Sequence, residues 1–224
     1  MKTTAQATLF SVVGFALFGV ALFWPAGTFD YWQAWVFIGI FVVLGTFYTI
    51  YLVVKAPEVL RRRMNAGPAA ETRPVQKIVS AGVYLAFMAL LVVSALDHRF
   101  SWSTVPTPIV LIGDVMVVVG LVLSMLVVLQ NNYAAANVTI EADQKVVSTG
   151  LYGIVRHPMY SSVMVLLIGV PLALGSYWGL VVIVPAVLLF VARILDEEKM
   201  LEGELDGYRE YTHQVQSRLV PYVW

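Results

Sequence analysis

The chain has 224 residues, 59% of them hydrophobic and 12% charged, with a mean hydropathy of +0.80. A soluble domain carries about 25% charged residues, so this composition leaves too few charges to cover a water-facing surface and points to lipid as the solvent. Lysine plus arginine and aspartate plus glutamate balance at 14 each, which gives no electrostatic footprint for nucleic acid; the absence of cysteine excludes disulfides, thiolate metal sites and cysteine nucleophiles.

A spanning helix needs roughly 20 apolar residues. Four stretches of that kind occur in order, from Thr8 to Pro25, Trp32 to Val54, Ile78 to Leu96 and Thr107 to Leu129. The first follows Lys2, as the core of a signal peptide would. No small-x-small cleavage site precedes a soluble region, so it is read as a retained helix. From Tyr160 to Ala192 the chain stays apolar, too long a run for one untilted span, and Gly175-Ser176-Tyr177-Trp178-Gly179 interrupts it. Two short spans joined by a tight turn fit best. The reading is therefore an all-α, polytopic integral membrane protein of about six transmembrane helices. Residues 1–129 form a four-helix region, and residues 130–224 carry a helical hairpin and an amphipathic tail helix.

Basic residues in short loops set the orientation. Lys55, Arg61, Arg62, Arg63, Arg73 and Lys77 follow the second span, Lys145 and Arg156 follow the fourth, and Arg193, Lys199, Arg209 and Arg218 follow the last. The opposite loops hold Arg99 beside Asp97 and His98. Both termini are then cytoplasmic, in the inner membrane if the source is bacterial. Trp24, Tyr31, Trp32, Trp35, Trp102 and Trp178 would belt the outer interface. Residues 66–70, Ala-Gly-Pro-Ala-Ala, read as a hinge inside the basic loop.

Four groups of residues could carry chemistry. In Gly150-Leu151-Tyr152-Gly153-Ile154-Val155-Arg156-His157-Pro158-Met159-Tyr160, Pro158 suits the first turn of a helix. Arg156 and His157 then sit at a helix N-terminus, where a cation, an imidazole and free N–H groups would together hold a carboxylate. The alternative is that Arg156 snorkels to lipid phosphate and His157 caps the helix. In Arg193-Ile194-Leu195-Asp196-Glu197-Glu198, Arg193 and Glu197 share a helix face, and three adjacent acids cannot all point outward. An acid here could accept from ribose hydroxyls or hold an ammonium or sulfonium; the alternative is a solvated helix end. In the tail, Leu205, Tyr208, Tyr211 and Val215 fall at helical spacing and predict a short amphipathic helix along the interface. Asn131, Asn132, Tyr133, Asn137 and Thr139 could line a head-group or nucleoside pocket, with a turn as the alternative for Asn131-Asn132. His98 and His213 lack the spacing of a zinc or haem site, and neither a P-loop nor a G-x-G-x-x-G is present.

Gly150-x-Tyr152, Val155-Arg156-His157-Pro158-x-Tyr160, the apolar hairpin, Arg193 with Glu197-Glu198, Gly207-Tyr208-x-x-Tyr211 and Arg218-x-x-Pro221 occur in that order. Over about residues 130–221 this pattern resembles the isoprenylcysteine carboxyl methyltransferase family and is similar to that of membrane phospholipid methyltransferases. The resemblance implies methyl transfer from S-adenosyl-L-methionine, bound in a cytosol-facing pocket, to an acceptor entering from the lipid. It implies that Tyr152, Val155, Arg156, His157, Pro158, Tyr160, Glu198 and Tyr211 bind the cofactor, that Arg193, Glu197 and Glu198 are catalytic, and that no metal takes part. The implied partners are membrane lipid and a hydrophobic or lipidated acceptor. The N-terminal region would give the acceptor access. Asp206 stands where the family has an aromatic residue, and the first three spans carry no signature of a prenyl tunnel.

The acceptor stays open among a prenylcysteine-like carboxylate, a phospholipid amine and a small hydrophobic thiol. Two further classes compete. Sterol reductases resemble this C-terminal region but are longer. The other is a non-catalytic membrane protein or small transporter; a transporter would be expected to show repeated halves or discontinuous helices, and the sequence shows neither.

Overall fold

The computed structural model describes residues 2–64, 71, 73–131, 133 and 144–224, with side chains from residue 12 onward. The hinge at 66–70 and Asn132, Asn137 and Thr139 lie outside the described residues. Among these residues the chain is all-helical: α1 (Lys2–Ala26), α2 (Trp32–Lys55), α3 (Pro57–Met64), α4 (Pro74–Phe100), α5 (Thr107–Gln130), a 3-10 turn at Gly150–Gly153, α6 (Pro158–Ala173), α7 (Trp178–Glu204) and α8 (Tyr208–Gln214). Four helices, α2, α4, α5 and α7, are long and apolar enough to cross a membrane. Two shorter apolar stretches, Val12–Ala26 and Pro158–Ala173, join them. The chain is a multi-pass membrane protein by this measure.

The hairpin has unequal arms. The sequence suggests two short spans, and α6 is short, 16 residues or about 24 Å. α7 runs 27 residues, about 40 Å, longer than the ~30 Å hydrocarbon core. Its apolar run stops at Ala192 but the helix does not, because most residues from Arg193 to Glu202 are good helix formers, without proline, and Gly203 comes only at the helix end. The Arg193–Glu198 group therefore stands on a rigid helical extension. α3 was not expected within the basic loop. Its signals were nonetheless present: Pro57 at the first position, Glu58 in the first turn and three arginines in the last, each matched to the helix dipole.

Three turns gather at one end. Tyr31 donates its hydroxyl to Leu174 O at 2.7 Å and stacks on His98, with ring centroids 3.8 Å apart. Asp97, fully buried at the end of α4, accepts from Ser103 N at 2.7 Å and from Ser176 Oγ at 2.6 Å, which ties the hairpin turn to the α4–α5 loop. Trp24, Trp32, Trp35, Trp102 and Trp178 are exposed around this end, as an interfacial belt requires. Tyr31 is a correction to that expectation: it is 1% exposed and belongs to the core, because its hydroxyl finds backbone acceptors inside.

α5 packs along α6, and α4 along α7. Both pairs cross the 129/130 boundary, so the two sequence regions pack as one helical body. Between membrane helices, small residues allow backbones to approach closely. A Cβ added at Gly113 would lie 2.2 Å from Ala173 N, a backbone atom that cannot step aside. Gly113→Ala is therefore expected to destabilise the protein by about 1–3 kcal/mol. Gly14→Ala is the control: an added Cβ there meets nothing within 4 Å, so no loss is expected. Thermal unfolding in detergent separates the two, and equal melting of both variants would contradict the close α5–α6 contact.

Candidate active site

The end opposite the belt is where polar groups collect, and they do so because α7 projects out of the apolar layer. Its three consecutive acids point three ways. Asp196 accepts from Arg73 Nη2 at 2.6 Å and is bridged by Gln76 Nε2, so it docks the start of α4. Glu197 Oε2 accepts from the Tyr160 hydroxyl. Glu198 turns to the opposite side and takes three donors.

The Glu198 carboxylate is 5% exposed. Its Oε1 accepts from Arg156 Nε at 2.8 Å and lies 3.1 Å from His157 Nε2; its Oε2 accepts from Arg218 Nε at 2.8 Å. Arg156 and His157 were expected to hold a carboxylate, and the one they hold here is Glu198's. The backbone repeats the connection. Arg156 N donates to Ser217 O at 2.9 Å, His157 N to Arg218 O at 3.0 Å, and Ser161 Oγ to Leu219 O at 2.7 Å. Glu198 thus clamps the start of α6, the middle of α7's extension and the C-terminal tail into one block.

Arg193 anchors a second network. It is 6% exposed, and its guanidinium donates to Glu71 Oε1 at 2.9 Å, Gln76 Oε1 at 2.9 Å, Ser80 Oγ at 2.7 Å and the Tyr160 hydroxyl at 2.9 Å. Ser80 Oγ also donates to Glu71 Oε1 at 3.0 Å. Arg193 and Glu197 share a helix face, and the Tyr160 hydroxyl links them. Glu71, Gln76 and Ser80 had not been singled out. The signal for them was weak: Gln76 and Ser80 are polar residues four apart near the start of a mostly apolar helix, and Glu71 is separated from Arg193 by 122 residues of sequence.

Between these networks lies a cavity of about 340 Å³, within the usual range for small-molecule sites. Tyr152, Arg156, His157, Pro158, Tyr160, Arg193, Glu197 and Tyr211 line it. Val155 and Glu198 do not; Val155 is buried in the packing, and Glu198 stands behind Arg156 and His157. Val83, Tyr84, Val163 and Phe190 form an apolar wall, with Tyr84 exposed on the span α4. Aromatic and polar groups complete the lining. Tyr211 donates to Tyr152 O at 2.7 Å, and Asn131 Nδ2 donates to the Tyr152 hydroxyl at 3.2 Å. Burial pushes the Tyr152 phenol up to about 12, with the Glu197 charge adding to it, and burial likewise raises Tyr208 and Tyr211. All three remain neutral hydroxyls at physiological pH. The tail helix is short, as expected, and its apolar face is covered by the protein. Tyr208, Tyr211 and Val215 face inward and pack on Val146, Leu201 and Leu205.

No curated protein matches the chain. Residues 108–205, from the first turn of α5 to the first residue after α7, match the phospholipid methyltransferase family model, which starts earlier than the resemblance read from the sequence and stops before the tail. That family stands in the same group as the isoprenylcysteine carboxyl methyltransferases, and the matched segment, somewhat less than half of the chain, is similar to it.

Proposed function

We propose that the protein transfers a methyl group from S-adenosyl-L-methionine to a hydrophobic, lipid-borne acceptor, in the manner of isoprenylcysteine carboxyl methyltransferases. The observation that carries this reading is the cavity itself, lined by polar and aromatic groups together with apolar side chains, at the end of the spans. The residues present fit the methyl donor. Tyr208's hydroxyl is buried in the cavity wall with no hydrogen-bond partner among the described residues, a donor that a bound ligand would satisfy. Tyr152, Tyr208 and Tyr211 offer ring faces for a base, and Glu197 offers a carboxylate for a sulfonium or for ribose hydroxyls.

When bound, S-adenosyl-L-methionine supplies a methyl group already activated by its sulfonium sulfur. The chain's task is then chiefly alignment. Tyr160 and Arg193 fix Glu197 against the cavity. Arg156, His157 and Pro158 form a wall whose position depends on Glu198. A carboxylate acceptor requires no base. For an amine, Glu197 is the residue placed to take the proton, because Glu198 and His157 are engaged with each other. That placement favours a phospholipid amine as the second reading, ahead of a small thiol. The basic loops favour a cytoplasmic site with both termini on the same side.

Acceptors with one reactive head and graded hydrocarbon tails, assayed for methyl transfer in liposomes, test the proposal. Burial is worth about 0.8 kcal/mol per methylene, so each carbon removed should lower kcat/KM about fourfold. Equal turnover of a tailless, water-soluble acceptor would favour the small-thiol reading instead.

A further inference from the structure

α3 carries three consecutive arginines with three different surroundings. Arg61 points to water and pairs with Glu58 at 3.4 Å, both side chains well exposed. Arg62 lies over the Tyr133 ring, 5.1 Å from its centroid. Arg63 turns inward and lines the cavity. Its Nη1 is sealed from solvent and has no hydrogen-bond partner among the described residues. Tyr48 Oη, within electrostatic reach of Arg63, is buried without a partner as well. A basic last turn suits the dipole of α3, but the dipole does not explain why one guanidinium N–H is buried and unmatched.

The charges around the cavity sharpen the point. Five cationic or titratable basic residues line it: Arg63, Lys145, Arg156, His157 and Arg193. Glu198 holds Arg156 and His157, and Glu71 holds Arg193. Glu197 is the one acid among the described lining residues, and it already accepts from Tyr160. Arg63 is left with a fixed charge on the cavity lining and no carboxylate partner among the described residues, with the exposed Lys145 on the same lining.

We propose that Arg63 is the seat of an oxyanion belonging to a molecule bound in the cavity. A planar guanidinium matches phosphate and carboxylate oxygens with paired N–H donors. Two molecules could bring that group, a lipid through its headgroup phosphate or the methyl donor through its carboxylate. The inference rests on the cavity being the ligand site of the proposed methyl transfer, but its test does not require turnover.

The full chain in neutral detergent is titrated calorimetrically with three probes. Dihexanoyl phosphatidate, kept below its micelle threshold, stands for the lipid phosphate; S-adenosylhomocysteine stands for the donor with its carboxylate, and methylthioadenosine for the donor without it. Arg63→Gln is expected to weaken phosphatidate or S-adenosylhomocysteine about ten- to hundredfold, with methylthioadenosine unchanged. The probe that weakens identifies the source. Arg61→Gln, the same charge change on the same helix, should bind every probe like wild type. Arg63→Lys should recover part of the loss. The proposal is overturned if wild type binds neither anionic probe, if Arg63→Gln matches wild type, if Arg61→Gln weakens binding equally, or if methylthioadenosine is lost as well. Arg63-dependent binding by a protein that methylates no acceptor would remove the methyltransferase reading and leave the seat intact.

Discussion

Glu198→Ala is expected to lower stability by about 3–5 kcal/mol, the usual cost of stripping one partner from a buried ionic cluster. The loss is large because one carboxylate serves three donors from two other segments. Without it, Arg156 and Arg218 lie close together with no counter-charge, both only partly reached by solvent. The tail should then loosen, since Arg218 is its side-chain anchor and the bonds left to it are backbone and hydroxyl bonds from 217 to 219 and the Arg156 Nη1 bond to Val215 O, whose donor loses its own anchor. Donor binding should fall about a hundredfold or more, although Glu198 does not line the cavity, because Arg156 and His157 would lose their fixed positions. His157→Ala should cost less, as it leaves both arginine bonds in place. Thermal unfolding in detergent and protease cleavage after Arg218 read these effects. A Glu198→Ala variant that melts like wild type with its tail protected would contradict the clamp.

Arg193→Met should cost a similar amount, about 3–5 kcal/mol, for the opposite reason: it strands an acid. Glu71 has a fully buried side chain and accepts from both Arg193 and Ser80. Removing the guanidinium leaves that carboxylate without its cation and Tyr160 without the donor that fixes its hydroxyl. Glu71→Gln combined with Arg193→Met removes both charges and is expected to recover much of the stability. It should not recover turnover, because the Tyr160–Glu197 bond loses its orienting neighbour. The double-mutant cycle gives the coupling directly. A double variant no more stable than Arg193→Met alone would mean that Glu71 and Arg193 do not depend on each other.

The legibility of this chain follows distance along the sequence. The spans were readable because apolar runs of about 20 residues are long-range signals in composition alone. The cluster from Tyr152 to Tyr160 was readable because its residues are local and sit beside a proline that starts a helix. Arg193 and Glu197 were readable as ionisable groups at the membrane edge. What each residue does was less accessible. Glu198 and Glu197 are neighbours in sequence, yet one step of about 100° around the helix places one in the cavity wall and the other behind it. Glu71, Gln76 and Ser80 act at the site from more than a hundred residues away, and pairings at that separation leave no periodicity to detect. Arg63 was counted among the charges that orient the loop. Its place in the cavity lining distinguishes it from Arg61 and Arg62.

The docking of α4 on α7 crosses two pairs of charges: Glu71 with Arg193, and Arg73 with Asp196, each one acid and one base from either side. The partners are 122 and 123 residues apart. At ribosomal rates of about 5–20 residues per second, α7 follows on the order of ten seconds later. During that interval the start of α4 stands at the membrane with its own acid and base unmatched by the helix that later neutralises them. Insertion of α4 must therefore be carried by its apolar body, and the final fit is an annealing step that waits for α7. A nascent chain stalled before that point displays Glu71 and Arg73 unpaired by α7, a mark that distinguishes an unfinished molecule from a complete one.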